Sequence, residues 1–152
     1  MNLNENQIRV YSKQEQEDLN RRILIWLNTY PDNPVALVDY ESKLAADAPG
    51  MALSLIQNSY TPVYDILGNY DTDYQFKVIY RIKPGNSTDK RLKADEVLDA
   101  IGEWSRTQFP DIGENRTVVS IEPVTRSAFF ANYENGDEDH QIMMKMTYHV
   151  EV

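Results

Sequence analysis

The side chains that could do chemistry in this sequence are few in kind. The chain has 152 residues, no cysteine and two histidines, which removes thiol nucleophiles, thiolate metal sites and disulfides together. His140 and His149 stand nine positions apart in one alternating stretch, so they fall on opposite faces of a strand and cannot share a ligand. A lone histidine is more often a satisfied structural residue than a ligand. The expected places are the sheet margin for His140 and the solvent face for His149.

Carboxylates are the remaining resource, with 24 Asp plus Glu against 15 Lys plus Arg and a formal charge of −9. Their densest group is "ENGDED", in which Glu134, Asp137, Glu138 and Asp139 follow Tyr133. Its oxygens could take a hard cation, but the alternation and distal Glu of a calcium loop are missing. The same acids could form the solvated, mobile tip of a hairpin. No carboxylate pair stands out for hydrolytic work, and neither "PGMA" nor "KPGNS" has the spacing of a phosphate-cradling loop. No catalytic residue, metal or cofactor is expected.

The tightest basic group, "KRLK" at Lys90 to Lys93, sits between Asp89 and Asp95. On an acidic chain that arrangement argues against nucleic-acid binding as the main activity. The longest apolar run, "ILIWL", is far short of the roughly 20 residues a membrane-spanning helix needs. The polar first twenty residues contain no signal-peptide core, so synthesis and residence in the cytoplasm are expected.

The elements that must position these groups follow from periodicity. "SKQE" at Ser12 to Glu15 has the form of a capping box, and Leu19, Ile23, Trp26 and Leu27 continue at helical spacing, predicting a helix from Ser12 to Thr29. Residues 1–11 are set apart as a flexible segment of one domain covering 1–152. "VALVDYES" and "APGMALSLIQ" read as strands, with "TPVYDIL" as a short extension or a separate strand. In "DYQFKVIYRIK", Tyr74, Phe76, Val78, Tyr80 and Ile82 share one face, the pattern of a half-solvated antiparallel strand. Asn86, Ser87 and Thr88 are candidate caps for a second helix with Ala94, Val97, Leu98, Ile101 and Trp104 on its apolar side.

"TVVSIEPVTRSAFFANY" should bend at Pro123, and Asn135-Gly136 should turn it back as a hairpin into the final strand. There His140, Ile142, Met144, Met146, Tyr148 and Val150 alternate with polar residues. The sum is an α+β domain: an antiparallel or mixed sheet packed by two main helices, with a long C-terminal β-hairpin. Of the ten tyrosines, Tyr74, Tyr80 and Tyr148 read as core. Tyr60, Tyr64, Tyr70 and Tyr133 gather at turns and strand ends, where tyrosine commonly serves a partner surface.

The stretch from Met51 to Ser105, above all "YQFKVIYRIKPGNSTDKRLKADEVLDAIGEW", resembles phage and prophage minor capsid or tail-completion proteins. These are similar in architecture to the tail terminators of long-tailed phages. The resemblance implies a structural protein without an active site, located at the head-tail joint of a virion. It would form a ring, six-fold by analogy, that caps the tail tube and docks it to the head connector, and the acidic stretch Glu134 to Asp139 could then line a channel that must not hold a polyanion. Its implied partners are copies of itself, the tail-tube protein and connector proteins, with no membrane and no specific nucleic acid. The competing expectation is a cytoplasmic enzyme or small-ligand domain, with the loops around Gly68 to Thr72 and Gln108 to Asn115 framing a pocket. An extended terminal hairpin suits the ring, because an unpaired strand edge invites pairing with a neighbour.

Overall fold

The computed structural model describes residues 5–41, 44, 47–56 and 63–152, with the side chains of the first helix described from residue 14 onward. Helix α1 (Glu5–Leu27) is followed by β1 (Val38–Tyr40), β2 (Gly50–Leu55), β3 (Val63–Tyr64) and β4 (Tyr70–Ile82). Helix α2 (Thr88–Ser105) then precedes β5 (Arg116–Pro123), β6 (Ala128–Asn132) and β7 (Glu138–Val150). Among the described residues all seven strands form one mixed sheet in the order β1-β2-β4-β7-β5. β3 pairs with β4 beyond the end of β2, and β6 with β7 beyond the end of β5. The class is α+β.

The two long strands make the centre. β4 and β7 pair antiparallel along thirteen positions each, from Tyr70 against Val150 to Ile82 against Glu138. Opposite residues share a face in this register, so Tyr74, Phe76 and Val78 lie with Met146, Met144 and Ile142. That face is the core. It is covered by Leu19, Ile23, Trp26 and Leu27 of α1 and by Leu98 and Ile101 of α2. Trp26 and Trp104 join the two helices by stacking at 4.9 Å. Each fully buried side chain of this size contributes about 1.5–3 kcal/mol relative to exposure. On the opposite face, Gln75, Lys77, Lys145 and Thr147 keep part of their surface in solvent.

Local signals account for the element ends. Ser87 caps α2 by accepting from Lys90 N. Asn28, just past α1, ties that helix to β1: its amide oxygen accepts from Val38 N at 2.8 Å and its amide nitrogen donates to Val38 O at 3.0 Å. Gly102 lets α2 press on the sheet, since a Cβ there would lie 3.0 Å from Pro123 Cγ and 3.1 Å from Ile142 Cδ1. β5 and β6 form one row along β7, interrupted after Pro123, and β6 turns into β7 across residues 133–137 with Gly136 at φ 95°.

One boundary differs from the expectation. Ser12 lies inside α1, which starts at Glu5, so "SKQE" is not the helix start. Nothing in residues 5–11 breaks a helix, and extending an existing helix is easier than nucleating one. Glu15 is turned to a different use.

Candidate functional site

Register brings the acidic stretch against cations far away in sequence. Asp139 lies opposite Arg81 across the β4–β7 ladder and takes a two-pronged contact from it, at 2.8 Å to Nε and 2.9 Å to Nη2. Tyr133 Oη donates to the same carboxylate at 2.7 Å, and the guanidinium lies 4.7 Å from the Tyr133 ring centre. The hydrogen bonds that Arg81 donates to Asp139 push the Arg81 pKa further up, and the same carboxylate raises that of Tyr133. Arg91 of α2 holds Glu138 at 2.9 Å and also donates to Gly85 O at 2.8 Å. Asp137 accepts from Ala48 N at 3.2 Å and from Asn135 Nδ2 at 3.0 Å, with Lys83 Nζ 3.8 Å away.

Asp137 and Asp139 are only 1 % and 2 % exposed, and Glu138 is buried with them. The expectation of a solvated tip, and with it a channel lining made by these three acids, is therefore corrected. The exposed tip is formed by residues 132–136, with Tyr133 and Glu134 among them. Composition reads acids next to Asn-Gly as solvated. The sheet register instead carries Arg81 and Arg91 to them, and a buried carboxylate stays charged only with such partners.

His140 is also buried, not marginal. Its Nδ1 lies 2.8 Å from Asp95 Oδ1 and its Nε2 3.3 Å from Glu138 Oε2, with the Phe129 ring edge-on at 6.1 Å. Ser127 completes the corner, donating from Oγ to Asp95 at 2.7 Å and from N to Asp99 at 2.8 Å. These contacts bind β6, α2 and β7 together. His149 sits on the other face, paired with Asp71 at 2.5 Å.

A second polar centre, invisible in the sequence, closes the far end of the sheet. Glu15 is buried and accepts from Tyr70 Oη at 2.7 Å and Tyr148 Oη at 3.0 Å, with Arg116 Nε 3.7 Å away. Arg116 reaches Asp18 at 2.5 Å, and Arg22 meets Asp18 at 3.0 Å. Tyr70 thus belongs to the core and not to an outer surface. Tyr64 stays partly exposed, its ring 5.3 Å from that of Tyr70, and Tyr60 lies outside the described residues. A helical Glu at the right spacing to meet a strand-borne Tyr is the signal that was available, but its partners lie 55 and 133 positions away.

In both centres arginine, tyrosine or histidine engages the carboxylates of Glu15, Asp18, Glu138 and Asp139, while Asp137 is held by Ala48 N, Asn135 and Lys83. That is the chemistry of a fastening, in which each buried charge is matched in place. Among the described residues no group of three His, Cys, Asp or Glu is placed to hold a metal ion, and no helix is long and apolar enough to cross a membrane.

Surface cavities of 320 to 570 Å³ touch these centres only at their edges, through Lys83, Asp99 and Arg22. The loop at Gln108 to Asp111 lines two of them with Trp26 and Thr29, without any residue of the Gly68 to Thr72 loop. Both loops instead hold the end of the chain: Asn69 Oδ1 accepts from Val152 N and Asn115 O from Glu151 N.

A cavity of 350 Å³ lies between the end of β4, the first turns of α2 and the Ala48-Pro49 segment. Pro49, Tyr80, Ile82, Ala94 and Val97 supply apolar walls, and Lys83, Lys90 and Lys93 stand around them. Lys90, Lys93, Ala94 and Val97 reach it because they recur at helical spacing on one side of α2. The basic stretch was legible in the sequence. Its convergence with Lys83 was not.

Compared with known proteins, the sequence matches no family model and no curated protein.

Proposed function

We propose that this chain is a self-assembling structural protein of a phage head-tail joint. It is a ring subunit, six-fold by analogy, that caps the finished tail tube and meets the connector on the head side. The reading rests first on the resemblance of Met51 to Ser105 to tail-completion proteins. The observation that carries it in three dimensions is the exposure of large apolar side chains in three separate places. One is the β3–β4 turn with Val63, Ile66 and Leu67. The second is the outer row of the sheet with Val119, Phe129 and Phe130. The third is the Ile25 and Phe109 pair, which shares a cavity wall. A free monomer gains nothing from such patches, whereas a ring subunit needs unlike surfaces for its two neighbours and more for the layers above and below. β5 and β6 also leave one side of their backbone without a strand partner among the described residues.

Sedimentation velocity with and without purified tail-tube protein tests the reading. Concentration-dependent oligomers, or oligomers that form on tubes, are expected. A strict monomer that ignores tubes would overturn it. The competing reading, a small-ligand domain or enzyme, has the 350 Å³ cavity in its favour. Saturable binding of a small organic anion there, together with a monomeric chain, would replace the first reading with the second.

A further inference from the structure

The turn between β3 and β4 displays two aliphatic side chains in the open. Ile66 is 95 % exposed and Leu67 74 %. The turn beneath them is tightly fastened. Asp65 Oδ1 accepts from Leu67 N at 2.8 Å and from Asn69 N at 3.0 Å, Asp65 N donates to Asn69 O at 2.7 Å, and Gly68 makes the reversal at φ 88°. Desolvation works against the Asp65 charge, but these hydrogen bonds outweigh it and hold the carboxyl below its ordinary pKa. A preformed turn loses little freedom on docking, which favours its use as a contact. The carboxylate of Asp65 lies next to the pair in the chain, while that of Asp71, four residues on, is taken by His149.

The opposite arrangement lies at the other end of β4. The cavity beside Tyr80 and Val97 is apolar within and cationic at its margin. Lys83 and Lys93 face Asp137 and Asp89, while Lys90 has no carboxylate partner among the described residues. On a chain of charge −9, an opening with three lysines at its margin, one of them uncompensated, is locally less acidic than the surface as a whole.

We infer that these two surfaces are the halves of one contact between copies of the chain. Ile66 and Leu67 of one subunit enter the Tyr80 and Val97 cavity of the next, and Asp65 comes to face the lysine margin, above all Lys90. The inference rests on the reading of the chain as a self-assembling ring subunit, and it names the interface. From Tyr70, where the turn joins β4, to Tyr80 in the cavity wall, an extended strand covers roughly 33 Å, so a subunit cannot fill its own cavity. The two surfaces are unlike, so a subunit that meets a different neighbour at each of them is joined head to tail, and the contact propagates into a closed ring or an open filament.

Two double variants test this by sedimentation velocity, with circular dichroism to show that both fold. Ile66→Ser with Leu67→Ser removes the protrusion, and Lys90→Glu with Lys93→Glu reverses the sign of the cavity margin. All four positions are exposed, so folding is expected to survive. Each variant alone should associate at least tenfold more weakly than the natural chain. An equal mixture should form a one-to-one dimer and nothing larger, because the one intact protrusion meets the one intact cavity and only disabled surfaces remain. Variants that associate like the natural chain, or a mixture without dimer, would overturn the contact and leave the ring reading standing. A natural chain that stays monomeric with and without tubes would remove both.

Discussion

Asp139 shows what a single residue carries in this molecule. It is buried against Arg81 and takes a third hydrogen bond from Tyr133. Removing one partner of such a pair leaves an uncompensated buried charge. Arg81→Ala should therefore cost about 3–5 kcal/mol of unfolding free energy in urea titrations. Lys93→Ala breaks a pair exposed at both ends and should cost less than about 1 kcal/mol. Equal losses would mean that the Arg81 pair is solvated. Asp18 sets a pH dependence. Burial works to raise its pKa, but the hydrogen bonds from Arg116 and Arg22 outweigh it and hold the carboxyl below 3.8. A folded-state value below the unfolded one gives stabilisation that is complete above the unfolded value and lost as pH falls through the folded one. Wild type should thus exceed Asp18→Asn in stability at neutral pH, and the difference should shrink as pH falls below the ordinary carboxylate range. Acid titrations of both proteins check this.

At the scale of the element, β7 and α2 make opposite demands on intuition. Met144 and Met146 are fully buried, while Lys145 between them faces the open side of the sheet. Met144→Lys places an ammonium in the core and should abolish folding or lower the melting temperature steeply, whereas Lys145→Gln should be nearly silent. Similar melting curves would mean a strand slipped by one residue. Gly102 inverts the usual rule. A glycine inside a helix costs about 1 kcal/mol against alanine, yet here the sheet leaves almost no room for a side chain. Gly102→Leu should destabilise by about 1–3 kcal/mol in spite of its better helix propensity. A gain in stability would show that α2 can back away from Pro123 and Ile142.

The whole molecule combines a firmly fastened interior with apolar surfaces left open. Two buried polar centres close the ends of the sheet, through Glu15 and Arg116 at one end and through Arg81, Glu138 and His140 at the other. Open patches on so well fastened a body suit a subunit that keeps its shape on assembly. If the proposed head-tail role holds, deleting the gene from a producing phage should leave heads and tails unjoined, with tails of abnormal length in electron micrographs. Normal virions would send the functional reading to the small-ligand alternative. Neutralising Asp137, Glu138 and Asp139 should impair folding before it alters any passage of DNA, since these acids are buried in ion pairs.

What the sequence determined by itself is everything written at short range. The alternation in Tyr74 to Ile82 and in His140 to Val150 put the right residues on the core face, because a strand has period two whatever surrounds it. Ser87 was legible as a cap and Asn135-Gly136 as a hairpin turn, because both act through backbone groups a few positions away. The tertiary structure alone decided which charges meet. Arg81 and Asp139 are 58 positions apart, Arg91 and Glu138 47, and Tyr148 and Glu15 133. Whether an acid is a solvated turn residue or half of a buried pair depends on what the fold brings opposite it. The cavity lysines and the crowding around Gly102 are decided in the same way, by distances that exist only once β4, β7 and α2 have packed.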